Sequence, residues 1–171
     1  MSVGYHNMYF EPDKTLAGPK RLLEGYASRA YDQGAGRGIW FISGADVTKA
    51  AATIATMADD RRPDLWAGVG LALCYAGPSD AAAFLDARRL AGPHAAPMAT
   101  GVAIACTARV KDQSLLPETR QAVTALWNLE PGALADKVET IRQSAVSSAD
   151  RPAYGIWRDR IASDFAASLN G

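Results

Sequence analysis

The chain has 171 residues, 49% of them hydrophobic, and its 18 Lys or Arg residues balance 18 Asp or Glu residues. This length suits one domain, and a net charge of zero offers no basic face for phosphates. We therefore expect neither nucleic acid nor an anionic membrane surface as a partner. The apolar runs are too short for a membrane span and the N-terminus does not resemble a signal peptide, so we expect a cytoplasmic protein.

Metal-ligand residues are scarce: the chain has two cysteines, Cys74 and Cys106, and two histidines, His6 and His94. None of them has the spacing of a zinc site. Each cysteine lies inside an apolar run, which favours two buried free thiols over a disulfide. We expect no metal and no cofactor.

In chain order, residues 1–18 are aromatic, and we expect them to be irregular. They contain Tyr5, Tyr9 and Phe10, which are too apolar to lie loose in water. We expect this segment to pack on the core of the chain or to meet a partner.

Beyond this segment, apolar residues at helical spacing predict seven or eight helices. Their expected starts are Gly18-Pro19, Ser43 or Asp46, Pro63, Ser79, Pro97, Pro117, Pro131, and Asp150 or Pro152. No stretch has the pattern of a convincing strand. The predicted fold class is therefore all-α, with residues 1–171 forming one compact helical domain.

Glycines at alternate positions mark the end of the first predicted helix: Gly34, Gly36 and Gly38. Inside a helix each glycine costs roughly 1 kcal/mol against alanine, so they indicate close approach by another helix or by a ligand. Gly68 and Gly70 predict the same in the third helix. The spacing differs from the dinucleotide-binding G-x-G-x-x-G pattern, and no strand precedes it.

Charged residues beside these glycines are the candidates for chemistry. Arg37 lies among apolar residues, where a buried guanidinium needs a partner. That partner is either a structural carboxylate, Asp32 or Asp64, or an anionic ligand that arginine can grip with its planar fork. Asp32 is the better candidate for a general base, because Asp64 stands at a helix start and suits a capping role.

Further side chains are candidates for binding a substrate because they lie in the N-terminal aromatic segment, beside the glycines or near the start of the third predicted helix. Two alternatives stay open: His6 would be a surface or packing residue, and Arg62 part of a solvated turn. The candidate binding residues are His6, Tyr9, Tyr31, Gln33, Trp40, Arg62 and Asp64.

Residues 4–10, 31–41, 61–72 and 75–77 resemble a pattern in an actinobacterial family of natural-product gene clusters. That family is often described as enediyne biosynthesis protein and carries a domain of unknown function. Its members are about twice as long, with these motifs in their C-terminal half. The resemblance implies that this chain is half of a split protein and forms an obligate heterodimer with a second, homologous-half subunit.

In size and context the chain is also similar to the two-subunit aziridine-forming enzymes of the azinomycin and vazabitide type. That resemblance implies cofactor-free ring closure, in which an amine displaces a sulfate within one substrate. Asp32 would then be the base or an orienting group and Arg37 the sulfate clamp, unless the base lies on the second subunit. A small acidic amino-group carrier protein is a further expected partner.

The alternative is a non-catalytic helical subunit that stabilises a partner enzyme. The two hypotheses predict different surroundings for the candidate residues. A scaffold would close Asp32 and Arg37 into one ion pair with no cavity beside them. An enzyme would leave a pocket there, or at the boundary between the subunits.

Overall fold

The computed structural model describes residues 3–17, 23–77 and 80–169. Within these ranges the chain forms helices and no strand, which confirms the predicted all-α class. The helices are α1 (Val3–Phe10), α2 (Pro12–Leu16), α3 (Gly25–Ile42), α4 (Val47–Ala55), α5 (Arg62–Ala76), α6 (Ala81–Ala91), α7 (Ala95–Lys111), α8 (Pro117–Trp127), α9 (Pro131–Ser144) and α10 (Ala153–Ser168), with a 3₁₀ turn at Gly92–His94.

The N-terminal segment differs from the prediction, because it is helical rather than irregular. Helix α1 presses on α3, where an added Cβ on Gly4 would lie 1.9 Å from the carbonyl oxygen of Tyr31. In a second contact between the same two helices, the Met8 side chain of α1 packs against Gly38 of α3. This backbone-to-backbone packing explains why a short aromatic segment adopts a helix.

Two predicted helix starts, at Gly18-Pro19 and at Ser79, lie outside the described residues. Among those described, α3 begins at Gly25 and α6 begins after Asp80. The side chain of Asp80 accepts a hydrogen bond from the backbone N–H of Ala82 at 2.9 Å. Asp80 is therefore the N-cap of α6.

Helix α5 lies at the centre, packed between α3 and α7, and most of its residues are buried. An added Cβ on Gly36 of α3 would lie 2.0 Å from the carbonyl oxygen of Leu65. One on Gly70 would lie 2.0 Å from that of Met98 on α7. The close helix packing predicted from the glycines is confirmed.

Both cysteines are buried and free, as predicted. Burial raises the pKa of Cys74 to about 12 and that of Cys106 to about 11. A thiol with so high a pKa is a packing group and a poor nucleophile near neutral pH. In the part of the chain that the structure describes, no helix is both long and apolar enough to cross a bilayer.

Candidate functional site

A cleft opens between α3, α5 and α10, with an empty volume of about 570 Å³ that includes space open to solvent. We refer to it as the cleft. Its lining combines small residues from the close-packed helices with cationic and hydrogen-bonding side chains. The lining residues are Ala30, Gln33, Gly34, Arg37, Ala67, Gly68, Leu71, Tyr154 and Arg158.

Arg158 is the most unusual residue of the cleft, because it is only 5% exposed and forms no ion pair within the described ranges. Its Nη1 donates a long hydrogen bond of 3.4 Å to the hydroxyl of Tyr154. Its guanidinium carbon lies 5.8 Å from the centre of the Tyr154 ring. A buried cation is costly unless it is paired, so this geometry favours an anionic ligand.

Arg37 reaches the same cleft from α3 and is partly buried. Neither Asp32 nor Asp64 pairs with it. Its guanidinium carbon instead lies 5.4 Å from the centre of the Tyr5 ring. A cation over an aromatic face keeps its charge and its N–H donors available. The cleft therefore contains two guanidinium groups that form no ion pair with a carboxylate of the described residues.

Tyr26 joins the start of α3 to α10 behind the cleft. Its ring packs against Gly155, where an added Cβ would lie 2.9 Å from Tyr26 Cδ2. It also meets the Tyr154 ring edge-on, with the ring centres 5.9 Å apart. Burial raises the pKa of Tyr26, and the Arg158 guanidinium opposes part of that shift.

An ion-pair network lies beside the cleft, around a smaller recess that shares Ala67 and Arg158 with the cleft. Arg29 Nε lies 2.9 Å from Asp64 Oδ2, and Arg29 Nη2 lies 3.1 Å from Asp159 Oδ1. Gln33 Nε2 donates to Asp64 Oδ1 at 2.8 Å. Asp64 lies in the first turn of α5, at a helix start as predicted, and its carboxylate also joins α5 to α3 through Arg29 and Gln33. Gln33 links this network to the cleft.

Asp32 lies away from the cleft, in a buried pair with Arg61. Arg61 Nη2 lies 2.6 Å from Asp32 Oδ1, and its Nε lies 3.1 Å from both carboxylate oxygens. Burial raises the pKa of Asp32, while the Arg61 guanidinium opposes that shift. The predicted neighbours Asp32 and Arg37 are therefore not brought together, and the carboxylate is closed off by a residue that the sequence did not single out.

Three other predicted binding residues have structural contacts. Trp40 is in the core, where its indole N–H donates to the carbonyl of Ala76 at 3.3 Å. Tyr31 is buried against α1. Arg62 donates to the carbonyl oxygens of Met57 and Ala55, at 3.0 and 2.9 Å, and so fixes the turn before α5. None of the three lines the cleft.

The remaining two, His6 and Tyr9, are exposed on α1 within a cluster of aromatic rings. We define the aromatic surface as Tyr5, His6, Tyr9, Phe10 and Phe41. Neighbouring ring centres in it are 4.8 to 6.0 Å apart, and Phe10 is 63% exposed. The Tyr5–Arg37 contact connects this surface to the cleft.

The sequence could indicate Arg37 and Gln33, because both accompany the glycines. Arg158 and Tyr154 could not be identified from the sequence, since charged and aromatic residues on a C-terminal helix resemble ordinary surface and core residues. The described residues hold no cluster of His, Cys, Asp or Glu that could bind a metal ion.

Comparison of the sequence with known protein families identifies the family of this chain. The sequence matches, over residues 2–165, the family described as "Protein of unknown function (DUF1702)". The chain belongs to the DUF1702 family. No curated protein and no solved structure matches it. The DUF1702 assignment covers nearly the whole chain, including α3, α5 and the part of α10 that forms the cleft.

Proposed function

We propose that this DUF1702 chain is one subunit of a cytoplasmic two-chain enzyme of natural-product biosynthesis. Its cleft would receive an anionic leaving group during an intramolecular ring closure. The observation that carries the proposal is the buried Arg158, which lines the same cleft as Arg37 and forms no ion pair with a carboxylate of the described residues. The resemblance to the enediyne biosynthesis proteins and to the azinomycin and vazabitide aziridine-forming enzymes supports the choice of reaction.

In the proposed reaction, a substrate amine attacks the neighbouring carbon and forms a new N–C bond. The C–O bond to sulfate breaks, sulfate leaves with the electron pair, and the amine proton goes to a base. The product is an aziridine. Holding the amine opposite the leaving group is a proximity effect, and the two guanidinium groups would stabilise the negative charge of the departing sulfate.

The proposal assigns the base to the second subunit, because Asp32 is closed in its pair with Arg61. The second subunit would dock on the aromatic surface. That surface adjoins the cleft through the Tyr5–Arg37 contact, so a docked chain could complete the site. A small acidic carrier protein that presents the substrate remains part of the proposal.

The test is sulfate release from a sulfated amino substrate by the chain co-expressed with its neighbouring subunit. We expect Arg37→Gln and Arg158→Gln each to lower kcat by about 10²–10³-fold, the loss typical of one oxyanion-stabilising donor. The matched control is Arg89→Gln, an exposed arginine on α6 whose partner is Asp86. Equal turnover in all three variants would remove Arg37 and Arg158 from the mechanism.

A second candidate function is a non-catalytic subunit that stabilises a partner enzyme. The observation that favours it is that Asp32 and Asp64 are both engaged in structural pairs. Under this alternative, the chain would raise the thermal stability of its partner, and the cleft variants would leave turnover unchanged.

A further inference from the structure

A second recess is also bordered by Tyr154 and has an empty volume of about 590 Å³ that includes space open to solvent. We refer to it as the apolar recess. It is lined by Arg142, Ala145, Ala153, Tyr154 and Trp157. Among the described residues, Tyr154 is shared by the linings of the recess and the cleft, so the two spaces are neighbours.

Arg158 and Trp157 both lie close to this ring. The Tyr154 ring centre is 5.8 Å from the Arg158 guanidinium carbon and 5.3 Å from the Trp157 ring centre. The Trp157 indole N–H donates to the carbonyl of Val138 at 3.0 Å, which fixes the ring beside the recess. A cation and an apolar wall therefore lie within the span of one small organic molecule.

The charge of the recess differs from that of the cleft. Arg142, the cation among the described lining residues of the recess, forms an ion pair with Glu139. Arg158 and Arg37, in contrast, have no carboxylate partner among the described residues. Negative charge is favoured at the cleft end and apolar surface at the recess end. Sites for organic ligands commonly combine aromatic walls with a few placed polar groups in this way.

We infer that the cleft and the apolar recess together bind an organic anion that carries a flat apolar group. The anionic end meets Arg158 and Arg37, and the flat group packs against Tyr154 and Trp157. Aromatic walls contribute contact area and preferred ring geometries, and guanidinium groups select the charge. This inference rests on the proposed function, since it names the ligand class of the same cleft.

The test is titration calorimetry of the full chain with 2-naphthalenesulfonate, which has both a sulfonate and a flat ring system. Inorganic sulfate is the anion-only comparator, and 2-naphthol is the ring-only comparator. We expect 2-naphthalenesulfonate to bind at least about tenfold more tightly than either, which corresponds to about 1.4 kcal/mol. If inorganic sulfate bound as tightly as 2-naphthalenesulfonate, the inference would be overturned. The anion-binding cleft of the proposed function would still stand.

Variants separate the two ends of the site. Arg158→Gln should weaken 2-naphthalenesulfonate at least about tenfold and leave 2-naphthol unchanged. Tyr154→Ser, at a residue 47% exposed, should weaken both organic probes without unfolding the chain. Arg89→Gln and Val146→Ser, at exposed positions, are the controls. Full affinity in Tyr154→Ser, or no binding of 2-naphthalenesulfonate to the original chain, would overturn the inference.

If the proposed reaction is wrong but the ligand class is right, the experiments give a different result. In that case the chain would bind 2-naphthalenesulfonate through Arg158 and Tyr154, but sulfate release by the two-chain assembly would not depend on Arg158. The binding and turnover measurements therefore test the ligand class and the reaction separately.

Discussion

At the residue scale, the acidic and basic side chains around the cleft have different surroundings. Asp32 and Asp64 are buried and each is held by an arginine of the same chain. Arg37 and Arg158 instead have aromatic neighbours. Although the net charge of the sequence is zero, the cleft therefore has a local excess of positive charge. Such an excess draws in anions and favours charge that develops on a departing group.

The Asp32–Arg61 pair gives a prediction about stability and its pH dependence. Arg61→Gln should cost about 3–5 kcal/mol at pH 7, because it leaves a buried carboxylate without its cation. Burial already raises the pKa of Asp32 above its ordinary value of 3.8, and removing Arg61 raises it further. A carboxyl with a raised folded-state pKa contributes stability below its unfolded-state value, and that contribution is lost as pH rises through the folded value.

The destabilisation of Arg61→Gln should therefore be largest near neutral pH and should shrink as the pH falls toward 4. Urea denaturation at a series of pH values measures it. Arg89→Gln, which removes an exposed pair, should cost no more than about 1 kcal/mol at any of these values. A constant loss in Arg61→Gln across the series would contradict the proposed cause.

The sequence predicted part of this site. Arg37 and Gln33 could be found because they sit beside glycines that a helix would otherwise avoid. The pairing of Asp32 with Arg61 could not be found, because it depends on how α3 crosses the turn before α5. Arg158 lies far along the chain, and its burial appears only when α10 has packed against the other helices.

At the element scale, glycine positions set how closely the central helices approach. Gly36 lets α3 touch the backbone of α5 at Leu65, and Gly70 lets α5 touch α7 at Met98. This packing was predictable from composition and spacing. Helix α1 could not be predicted in this way. Its apolar residues are spread around the helix and do not form one stripe, so the sequence shows no helical periodicity there.

Gly36→Ala should therefore separate α3 from α5. Its new Cβ would lie 2.0 Å from a backbone oxygen, which cannot move aside as a flexible side chain can. We expect a loss of about 1–3 kcal/mol in the free energy of unfolding, measured by urea denaturation. We also expect weaker binding of 2-naphthalenesulfonate, because α3 and α5 form two walls of the cleft.

Gly132→Ala is the matched control for this substitution. Gly132 lies in the first turn of α9, and no atom of the described residues lies within 4 Å of the position that its Cβ would take. Alanine there should be neutral or stabilise the chain by up to about 1 kcal/mol. If the two variants had equal stability, close packing at Gly36 would not be what holds α3 against α5.

At the scale of the whole molecule, the aromatic surface and the cleft are neighbours. Exposed aromatic clusters of this kind usually mark an interaction surface. Tyr5 belongs to the surface and contacts Arg37, which lines the cleft. A chain bound to this surface would therefore also border the cleft, as a site shared between two subunits requires.

If the proposed second subunit docks on this surface, the double variant Tyr9→Ser/Phe10→Ser should lose association with it. Both rings are exposed, so the substitutions should leave the fold of the chain intact. Aromatic residues at the centre of an interface often contribute 2 kcal/mol or more, so we expect affinity to fall by at least about 30-fold. Size-exclusion chromatography with light scattering on the co-expressed pair measures the change.

The control is Leu85→Ser, because Leu85 is also an exposed apolar residue but lies on α6, outside the aromatic surface. It should leave the assembly unchanged. If Tyr9→Ser/Phe10→Ser associates as well as Leu85→Ser, the second subunit docks elsewhere and does not reach the cleft through Tyr5. If the double variant loses both association and sulfate release while it still binds 2-naphthalenesulfonate, the anion site belongs to this chain and the base to its partner.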